Sequence, residues 1–168
     1  MPEKVSSLVS KSLKSKNMNK IKILSSYARL EDNDSRYVAV LQDNSIWWFA
    51  PGYPWQPSTA EGLPAGYNID HLVAYSRSNK DGTRYVAVLH DGSIWWFAPG
   101  YPWQQSSVEG LPKGYVIKNF DAYMKTEGTR YMAVLQDSSL WWFAPGAAWQ
   151  PVSMEGLPLN AENIPPTP

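Results

Sequence analysis

A twelve-residue segment that occurs three times constrains the fold of this chain more than any other feature. "SIWWFAPGYPWQ" occupies Ser45–Gln56 and recurs letter for letter at Ser93–Gln104, and "SLWWFAPGAAWQ" occupies Ser139–Gln150. The flanking segments also match, and they are headed by Tyr37, Tyr85 and Tyr131, which lie 48 and 46 residues apart. A period of this length predicts a tandem array of one supersecondary unit.

The repeat divides the 168-residue chain into three units. They cover residues 21–68, 69–116 and 117–162, and all nine tryptophans lie inside them, three in each. Residues 1–20 are rich in lysine, and their apolar residues fall roughly on one helical face. We therefore expect a three-unit domain between a flexible or helical N-terminal leader and a short tail at 163–168.

Each unit has the pattern of four antiparallel strands. In the middle unit, "IDHLVAYSRS", "RYVAVLH" and "SIWWFA" have strand length and are rich in β-branched and aromatic residues. Asp91 and Gly92, between the last two, are typical of a tight hairpin, and "YPWQ" predicts a short outer strand. No unit has the pattern of a helix, so the fold class is all-β.

The strands are apolar on both faces, which predicts sheets that are covered on both sides. Ile94 and Trp96 point one way along their strand, while Trp95 and Phe97 point the other way. A sheet with one face in water would alternate apolar with polar residues. The pattern favours three β-propeller blades that stack around an axis, with the paired tryptophans packed between blades. A β-trefoil, which also has three units of this length, is the alternative.

Three blades do not close a ring with ordinary blade geometry. An open stack would leave large apolar faces in water. The propeller interpretation therefore predicts self-association, most simply a homodimer that completes a six-bladed propeller with two-fold symmetry. A monomer would instead favour the trefoil.

The overall composition excludes several classes of protein. Basic and acidic side chains number 15 each, so no net charge steers the protein toward nucleic acid. No apolar run is long enough for membrane insertion, and the absence of cysteine excludes a disulfide framework and a thiolate zinc site. The N-terminus lacks the pattern of a Sec signal peptide, which predicts a cytoplasmic protein or one released by a non-classical route.

The pattern of the units resembles a blade of the small β-propeller lectins. One copy runs from "LPKGYVIKNF", which begins at the end of the second unit, into "RYMAVLQDSSLWWFAPGAAW" of the third unit, and the resemblance covers residues 21–160. This group includes the fucose-binding lectins and the tectonin and tachylectin relatives, and some bacterial members build a six-bladed ring from several short chains. The resemblance implies a propeller fold and multivalent binding of glycans or glycoconjugates.

The fucose-binding lectins hold sugar between blades with an arginine, a glutamate and an indole. The resemblance places the indole position at Trp55, Trp103 and Trp149. The glutamate position falls on Trp48, Trp96 and Trp142. The arginine position falls on Tyr37, Tyr85 and Tyr131, each one residue away from an arginine. The sugar site of those lectins is therefore not present as a complete set.

Repeated aromatic and charged residues are the candidate ligand-binding groups. The third tryptophan of each unit, Trp55, Trp103 or Trp149, follows a Pro-Gly turn, where an indole can stack on a sugar or pin the outer strand. Tyr53 and Tyr101 precede two of these tryptophans in loops. An arginine fork and a carboxylate beside an indole suit a vicinal diol, although they can also form a structural ion pair. These charged residues are Arg36, Arg84, Arg130, Glu61, Glu109 and Glu155.

The sequence predicts no catalytic residue, no metal site and no cofactor. His71 and His90 are the two histidines, and neither recurs in the other units or accompanies a nucleophile motif. We therefore expect a non-enzymatic, lectin-like, carbohydrate-binding protein. The alternative is a protein-interaction scaffold, such as a neutralising or assembly partner, that uses the leader as a docking arm.

Overall fold

The computed structural model describes residues 19–78 and 82–158. Residues 1–18, 79–81 and 159–168, which include most of the predicted leader and all of the predicted tail, lie outside the described residues. The described part of the chain contains twelve β-strands in three sheets. In those residues there is no helix of the length and apolarity that a membrane span requires.

Each unit contributes one sheet of four strands. The first sheet contains β1 (Ile21–Ala28), β2 (Ser35–Leu41), β3 (Ile46–Phe49) and β4 (Gln56–Pro57). The second contains β5 (Ile69–Ser78), β6 (Gly82–Leu89), β7 (Ile94–Phe97) and β8 (Gln104–Ser106). The third contains β9 (Ile117–Lys125), β10 (Gly128–Leu135), β11 (Leu140–Phe143) and β12 (Gln150–Pro151). The outer strand of the middle unit therefore begins after "YPW" and not within it.

The strands of each sheet pair in chain order, and every pairing is antiparallel. This is the four-strand meander that the repeat pattern predicts, and four-stranded sheets are the blades of propellers. Among the described strands, no ladder joins one sheet to another. A β-trefoil is built around a barrel whose strands pair from unit to unit. The described strands therefore do not form a β-trefoil, which was the alternative fold.

The hairpin between the second and third strands is built in the same way in every unit. In the middle unit, Asp91 Oδ1 accepts hydrogen bonds from Ser93 Oγ at 2.5 Å and from Ser93 N at 2.9 Å. Ser93 Oγ in turn accepts a hydrogen bond from Trp95 Nε1 at 2.9 Å. The bonds from Ser93 hold the pKa of Asp91 below its ordinary value. The equivalent triads are Asp43, Ser45 and Trp47, and Asp137, Ser139 and Trp141.

Two apolar layers hold the three sheets together. The first layer includes Val38, Val40 and Ile46 from the first sheet, and Leu72, Tyr85, Ala87 and Phe97 from the second. The second layer includes Val86, Val88 and Ile94 from the second sheet, and Ala122, Tyr131, Ala133 and Phe143 from the third. The middle sheet is therefore covered on both faces, as the apolar residues on both sides of its strands predict.

The first strands of the three sheets lie next to one another. Strand β5 contacts β1 on one side and β9 on the other. This stacking places the same edge of each sheet against the following unit. The candidate sites lie between neighbouring sheets, at the ends of their strands.

Candidate functional site: the clefts between neighbouring units

Two equivalent clefts open between neighbouring units, and each has a volume of about 320 Å³. This volume lies at the lower end of the range of ~300–1,000 Å³ that small-molecule sites occupy. Each cleft lies where the first and third strands of one sheet end and its second strand begins. The next unit along the chain forms the opposite wall.

The same residue types line both clefts. The first cleft takes from the first unit Tyr27, Arg29, Arg36 and Trp48, and from the second unit Thr83, Tyr85, Phe97 and Pro99. The second cleft takes from the second unit Tyr75, Arg77, Arg84 and Trp96, and from the third unit Thr129, Arg130, Tyr131 and Pro145. In both clefts, one wall therefore has a tyrosine, two arginines and a tryptophan, and the opposite wall has a threonine, a second tyrosine and a proline.

A contact between a phenol and a threonine hydroxyl joins the two walls of each cleft. Tyr75 OH lies 3.0 Å from Thr129 Oγ1, and Tyr27 OH bonds to Thr83 Oγ1 in the same way. Burial raises the pKa of both tyrosines above the ordinary value, and the bond to threonine offsets part of that rise. Both phenols therefore stay neutral near pH 7, so each can donate or accept a hydrogen bond.

A short row of aromatic rings supports the wall from the following unit. In the second cleft, the ring of Tyr131 stacks on Phe143 at 5.4 Å, and Phe143 stacks on Trp149 at 5.2 Å. Aromatic pairs of this kind contribute about 0.5–1.5 kcal/mol beyond their buried area. The equivalent row behind the first cleft contains Tyr85, Phe97 and Trp103. These contacts fix the wall against which a ligand would rest.

Each unit holds its repeated arginine in the same way. Arg84 Nη1 donates a hydrogen bond to Thr83 O at 2.9 Å. The equivalent pairs are Arg36 with Ser35 O and Arg130 with Thr129 O. Arg36 and Arg84 line the clefts from the preceding unit, while Arg130 lines the second cleft from the following unit. All three arginines that the sequence predicts as ligand-binding groups therefore lie in cleft walls.

Arg29 adds a second guanidinium group to the first cleft. Its Nη2 pairs with Glu31 and lies 3.5 Å from Asp32. Its Nε is the one buried side-chain nitrogen or oxygen in the described ranges that has no hydrogen-bond partner. Arg77 occupies the equivalent position in the second cleft. The preceding unit therefore places two cations beside each half-buried indole.

The three tryptophans of each unit occupy three different positions. In the middle unit, Trp95 donates to the hairpin serine, whereas the half-buried Trp96 lines the second cleft. Trp103 is 2% exposed, and its Nε1 donates to Thr59 O of the preceding unit at 2.9 Å. Trp149 has the same position in the third unit and donates to Ser107 O at 3.0 Å.

The burial of Trp103 and Trp149 bears on the two interpretations that the sequence leaves open, an indole that stacks on a sugar and an indole that pins the outer strand. Each is only 2% exposed, because a loop of the preceding unit covers it. This placement favours the alternative interpretation, in which the indole pins the outer segment of its unit. Trp55, the equivalent residue of the first unit, is 38% exposed, since no described residue of another unit covers it in this way.

The other predicted residues lie outside the two clefts. Tyr53 and Tyr101 are exposed on their turns, as the sequence predicts, and Tyr101 lines a separate depression beside the first cleft. The loop glutamates are exposed and do not line either cleft; they are Glu61, Glu109 and Glu155. The structure therefore does not assemble the arginine, glutamate and late tryptophan that the sequence groups together. In the first two units, the repeated arginine lies instead in the same cleft wall as the second tryptophan of that unit.

Sequence reasoning misses the aromatic residues that face the clefts. The pattern assigns Trp48 and Trp96 to packing, and it leaves Tyr27 and Tyr75 without a role. A signal was available, since Tyr-x-Arg ends the first strand in "YAR" and "YSR" of the first two units. In an antiparallel meander, the end of the first strand lies beside the start of the second and the end of the third. That geometry brings the tyrosine, the repeated arginine and the second tryptophan together.

The histidines have partners away from the clefts. His71 Nε2 lies 3.2 Å from Ile117 O, and His90 Nδ1 lies 3.1 Å from a carboxylate oxygen of Asp70. Within residues 19–78 and 82–158, no group of three or more histidine, aspartate or glutamate side chains is placed to hold a metal ion. The polar side chains that line the clefts carry hydroxyl and guanidinium groups, together with one carboxylate, that of Glu127, in the second cleft.

No protein-family model matches this chain, and no curated protein matches it in sequence. Among solved structures, the chain is similar to the BP39L lectin from Burkholderia pseudomallei, with 19% identity and a TM-score of 0.44. The similarity covers 77% of this chain and 41% of that chain, so this chain spans less than half the length of the lectin. At this identity and TM-score, the similarity assigns neither a ligand nor a binding residue here.

Proposed function

We propose that this protein is a non-enzymatic, multivalent carbohydrate-binding protein whose sugar sites are the clefts between units. The observation that carries the proposal is the recurrence of one set of polar and aromatic residues in two clefts of equal volume. Packing alone requires apolar contact between sheets. It does not require two arginines, a phenol and a threonine hydroxyl around an open space.

The side chains of the clefts suit the surface of a sugar ring. Trp48 and Trp96 are half-buried, so part of each indole is open to stack on the apolar C–H face of a pyranose. Guanidinium groups donate paired N–H bonds to neighbouring hydroxyls, and the neutral phenols and threonine hydroxyls donate or accept. A polyol satisfies both kinds of contact at once, whereas a purely apolar ligand would leave the guanidinium groups without ligand oxygens.

Repetition makes such a site useful even when each one is weak. Two sites on one rigid chain can engage two sugars of the same glycan surface. The second contact is then intramolecular, and avidity can exceed the single-site affinity by about 10²–10⁴. This is the advantage that we infer for repeating the same cleft.

We infer further that two copies form a closed ring of six units as a homodimer. The outer face of the first sheet is open, since Leu24 is 61% exposed while its equivalent in the middle sheet, Leu72, is 4% exposed. Propellers typically have about 4–8 blades, and six is the only multiple of three in that range. Closure would cover both open faces and multiply the number of sugar sites.

A glycan-array screen of the labelled protein, with free sugars as competitors, tests the proposal. We expect a coherent set of glycan hits that free sugar displaces. Trp96→Ala should weaken binding at its cleft by about tenfold, because it removes the stacking face. We call the two clefts between units of one chain the internal clefts. Trp48→Ala combined with Trp96→Ala should remove most binding at both of them. The matched control is Trp95→Ala, which removes the neighbouring half-buried indole from outside the clefts.

Two results would contradict the proposal. One is a folded protein that binds no glycan, and the other is a double variant that binds as tightly as the parent. The first result would favour binding to a protein partner. The exposed Tyr53, Trp55 and Tyr101 offer aromatic contact area for such a partner. Capture of one stoichiometric protein, lost on deleting residues 1–20, would then support the scaffold function.

A further inference from the structure

The loop that follows the outer strand has the same backbone turn in all three units. We call residues 59–63, 107–111 and 153–157 the joining loops. In the second joining loop, Glu109 N donates to Ser107 Oγ at 3.1 Å, and Leu111 N donates to Val108 O at 3.1 Å. The third has the same two bonds, from Glu155 N to Ser153 Oγ at 3.2 Å and from Leu157 N to Met154 O at 3.0 Å. The third joining loop therefore has the same hydrogen-bonded turn as the second.

The first two joining loops each receive a tryptophan from the following unit. Trp103 N donates to Glu61 O at 2.8 Å, while its Nε1 donates to Thr59 O at 2.9 Å. The fit requires glycine, because a Cβ on Gly62 would lie 2.7 Å from Trp103 N. Trp149 engages the second joining loop through the same two bonds, to Glu109 O and Ser107 O. One docking contact is thus built twice inside the chain.

The two halves of a third such contact are present without a partner in the described part of the chain. Trp55 is exposed, yet it is held in place by Phe49, whose ring lies 5.1 Å from it. In the third joining loop, a Cβ on Gly156 would meet no atom within 4 Å, and Leu157 is exposed where its equivalents are half-buried. A preformed indole and a preformed loop therefore stand at opposite ends of the stack.

We propose that Trp55 of one copy docks into the 153–157 joining loop of a second copy. Its backbone N–H bonds to Glu155 O of the second copy, and its Nε1–H bonds to Ser153 O there. Two copies make this contact twice and close the six-unit ring. The inference rests on the assembly proposed above and names the contact that produces it. The proposal is supported by the two equivalent contacts, of Trp103 and of Trp149, that the chain already makes between its own units.

The docked ends form a further cleft from residues of both copies. Tyr123 is 45% exposed, whereas its equivalent Tyr75 is 8% exposed and bonded to Thr129. In the ring, Tyr123, Arg130 and Trp142 of one copy face Ser35 and Tyr37 of the other. This composite cleft is incomplete in either copy alone.

The composite cleft differs chemically from the two internal ones. Lys125 stands where the internal clefts have Arg29 or Arg77, and Val152 replaces a serine. A lysine ammonium is a point charge and lacks the planar fork that binds two oxygens together. The composite cleft therefore takes the same class of sugar with fewer fixed hydrogen bonds, and we expect weaker binding there.

Light scattering of the 168-residue protein across a dilution series tests the contact. We expect about twice the chain mass of 18.9 kDa. Trp55→Ala should weaken dimerisation by about 30-fold or more, as loss of a central aromatic anchor does. Tyr53→Ala is the matched control, because the equivalent Tyr101 stays exposed although units flank it on both sides.

Gly156→Ala tests the other half of the contact. The added Cβ should clash with the backbone of Trp55, so dimerisation weakens. Gly146→Ala is the control, since its φ of 94° matches the 91° of Gly156 and both substitutions carry the same backbone strain. The equivalent Gly100 has open space in the flanked middle unit, so a dimer should tolerate a Cβ at Gly146.

Three results would overturn the inference. They are a monomer at every concentration, a dimer that neither Trp55→Ala nor Gly156→Ala weakens, and an open assembly larger than two copies. None of them depends on sugar, so failure of the contact is distinguishable from failure of glycan binding. Where a glycan is known, calorimetry should find three sites per chain in two affinity classes, and two sites per chain in Trp55→Ala.

Discussion

The middle unit and the two outer units carry nearly the same residues, but they differ in how much of each is covered. Val86 of the middle sheet is buried and Met132, its equivalent in the third sheet, is only half-buried. Trp103 is enclosed by a joining loop, while Trp55 is not. The burial of a residue in this fold is therefore decided by the neighbouring unit and not by its own strand.

This difference separates two kinds of contact. Contacts within a unit, such as the Asp-Ser-Trp hairpin triad, are present three times. Contacts between units, such as the tryptophan in its joining loop, are present twice. The clefts belong to the second kind, so ligand binding should depend on the integrity of the stack.

The largest expected difference is between Trp103→Ala and Trp55→Ala. Trp103→Ala should lower the free energy of unfolding by about 3–5 kcal/mol at any protein concentration, because it opens a buried site. Trp55→Ala should have a smaller effect that grows with protein concentration, since its proposed contact lies between copies. Urea unfolding at two concentrations measures both. If both variants lost the same free energy of unfolding at both concentrations, the proposed difference between the enclosed Trp103 and the open Trp55 would be wrong.

Alkaline pH should weaken the contacts between units. Burial raises the pKa of Tyr75, Tyr85 and Tyr131 above the ordinary value of 10.0. Above pH 10 the unfolded chain loses these protons first, so it binds fewer protons than the folded chain. The free energy of unfolding therefore falls as pH rises, by about 1.4 kcal/mol per pH unit for each such tyrosine. Tyr75→Phe should make this slope shallower, and an unchanged slope would contradict the assignment.

A smaller effect should distinguish Tyr75, whose phenol is hydrogen-bonded to Thr129, from the exposed Tyr123. Tyr75→Phe removes the buried bond to Thr129 and should lower the free energy of unfolding by about 0.5–1.5 kcal/mol near pH 7. Tyr123→Phe in dilute protein should change it little, because that side chain is largely exposed. Thermal unfolding of the two variants side by side provides the check. A larger loss for Tyr123→Phe would reverse the comparison.

The smallest effect should come from a contact that lies within a unit. The bonds from Ser93 lower the pKa of Asp91, so the stabilisation they give is present above the ordinary aspartate pKa of 3.8. It is lost as pH falls through the lowered value, when the carboxylate takes up a proton. Asp91→Asn should therefore make urea unfolding less sensitive to acid, with no change in the mass of the assembly. A change in mass would show that the hairpin contributes to the contact between copies.

The sequence predicts the sheets of this fold better than it predicts the sites. Tight-turn residues and two-faced apolar strands fix the four-strand meander, because both signals lie within one unit. The sequence also places Arg36 and Arg84 among the candidate groups, and both line clefts. It fails for Trp103, since burial of that indole depends on a loop more than 40 residues earlier in the chain. A local pattern does not contain that contact.

The proposed sites predict that only the second tryptophan of each unit faces ligand, and indole N–H signals in nitrogen-15 NMR spectra can test this prediction for each tryptophan separately. The nine tryptophans give up to nine such signals, which single substitutions assign. On titration with a panel of free monosaccharides, Trp48 and Trp96 should shift while Trp47 and Trp95 stay in place. Shifts confined to the hairpin indoles, or no indole shift with a sugar that the array shows to bind, would contradict the proposed placement of the sugar sites.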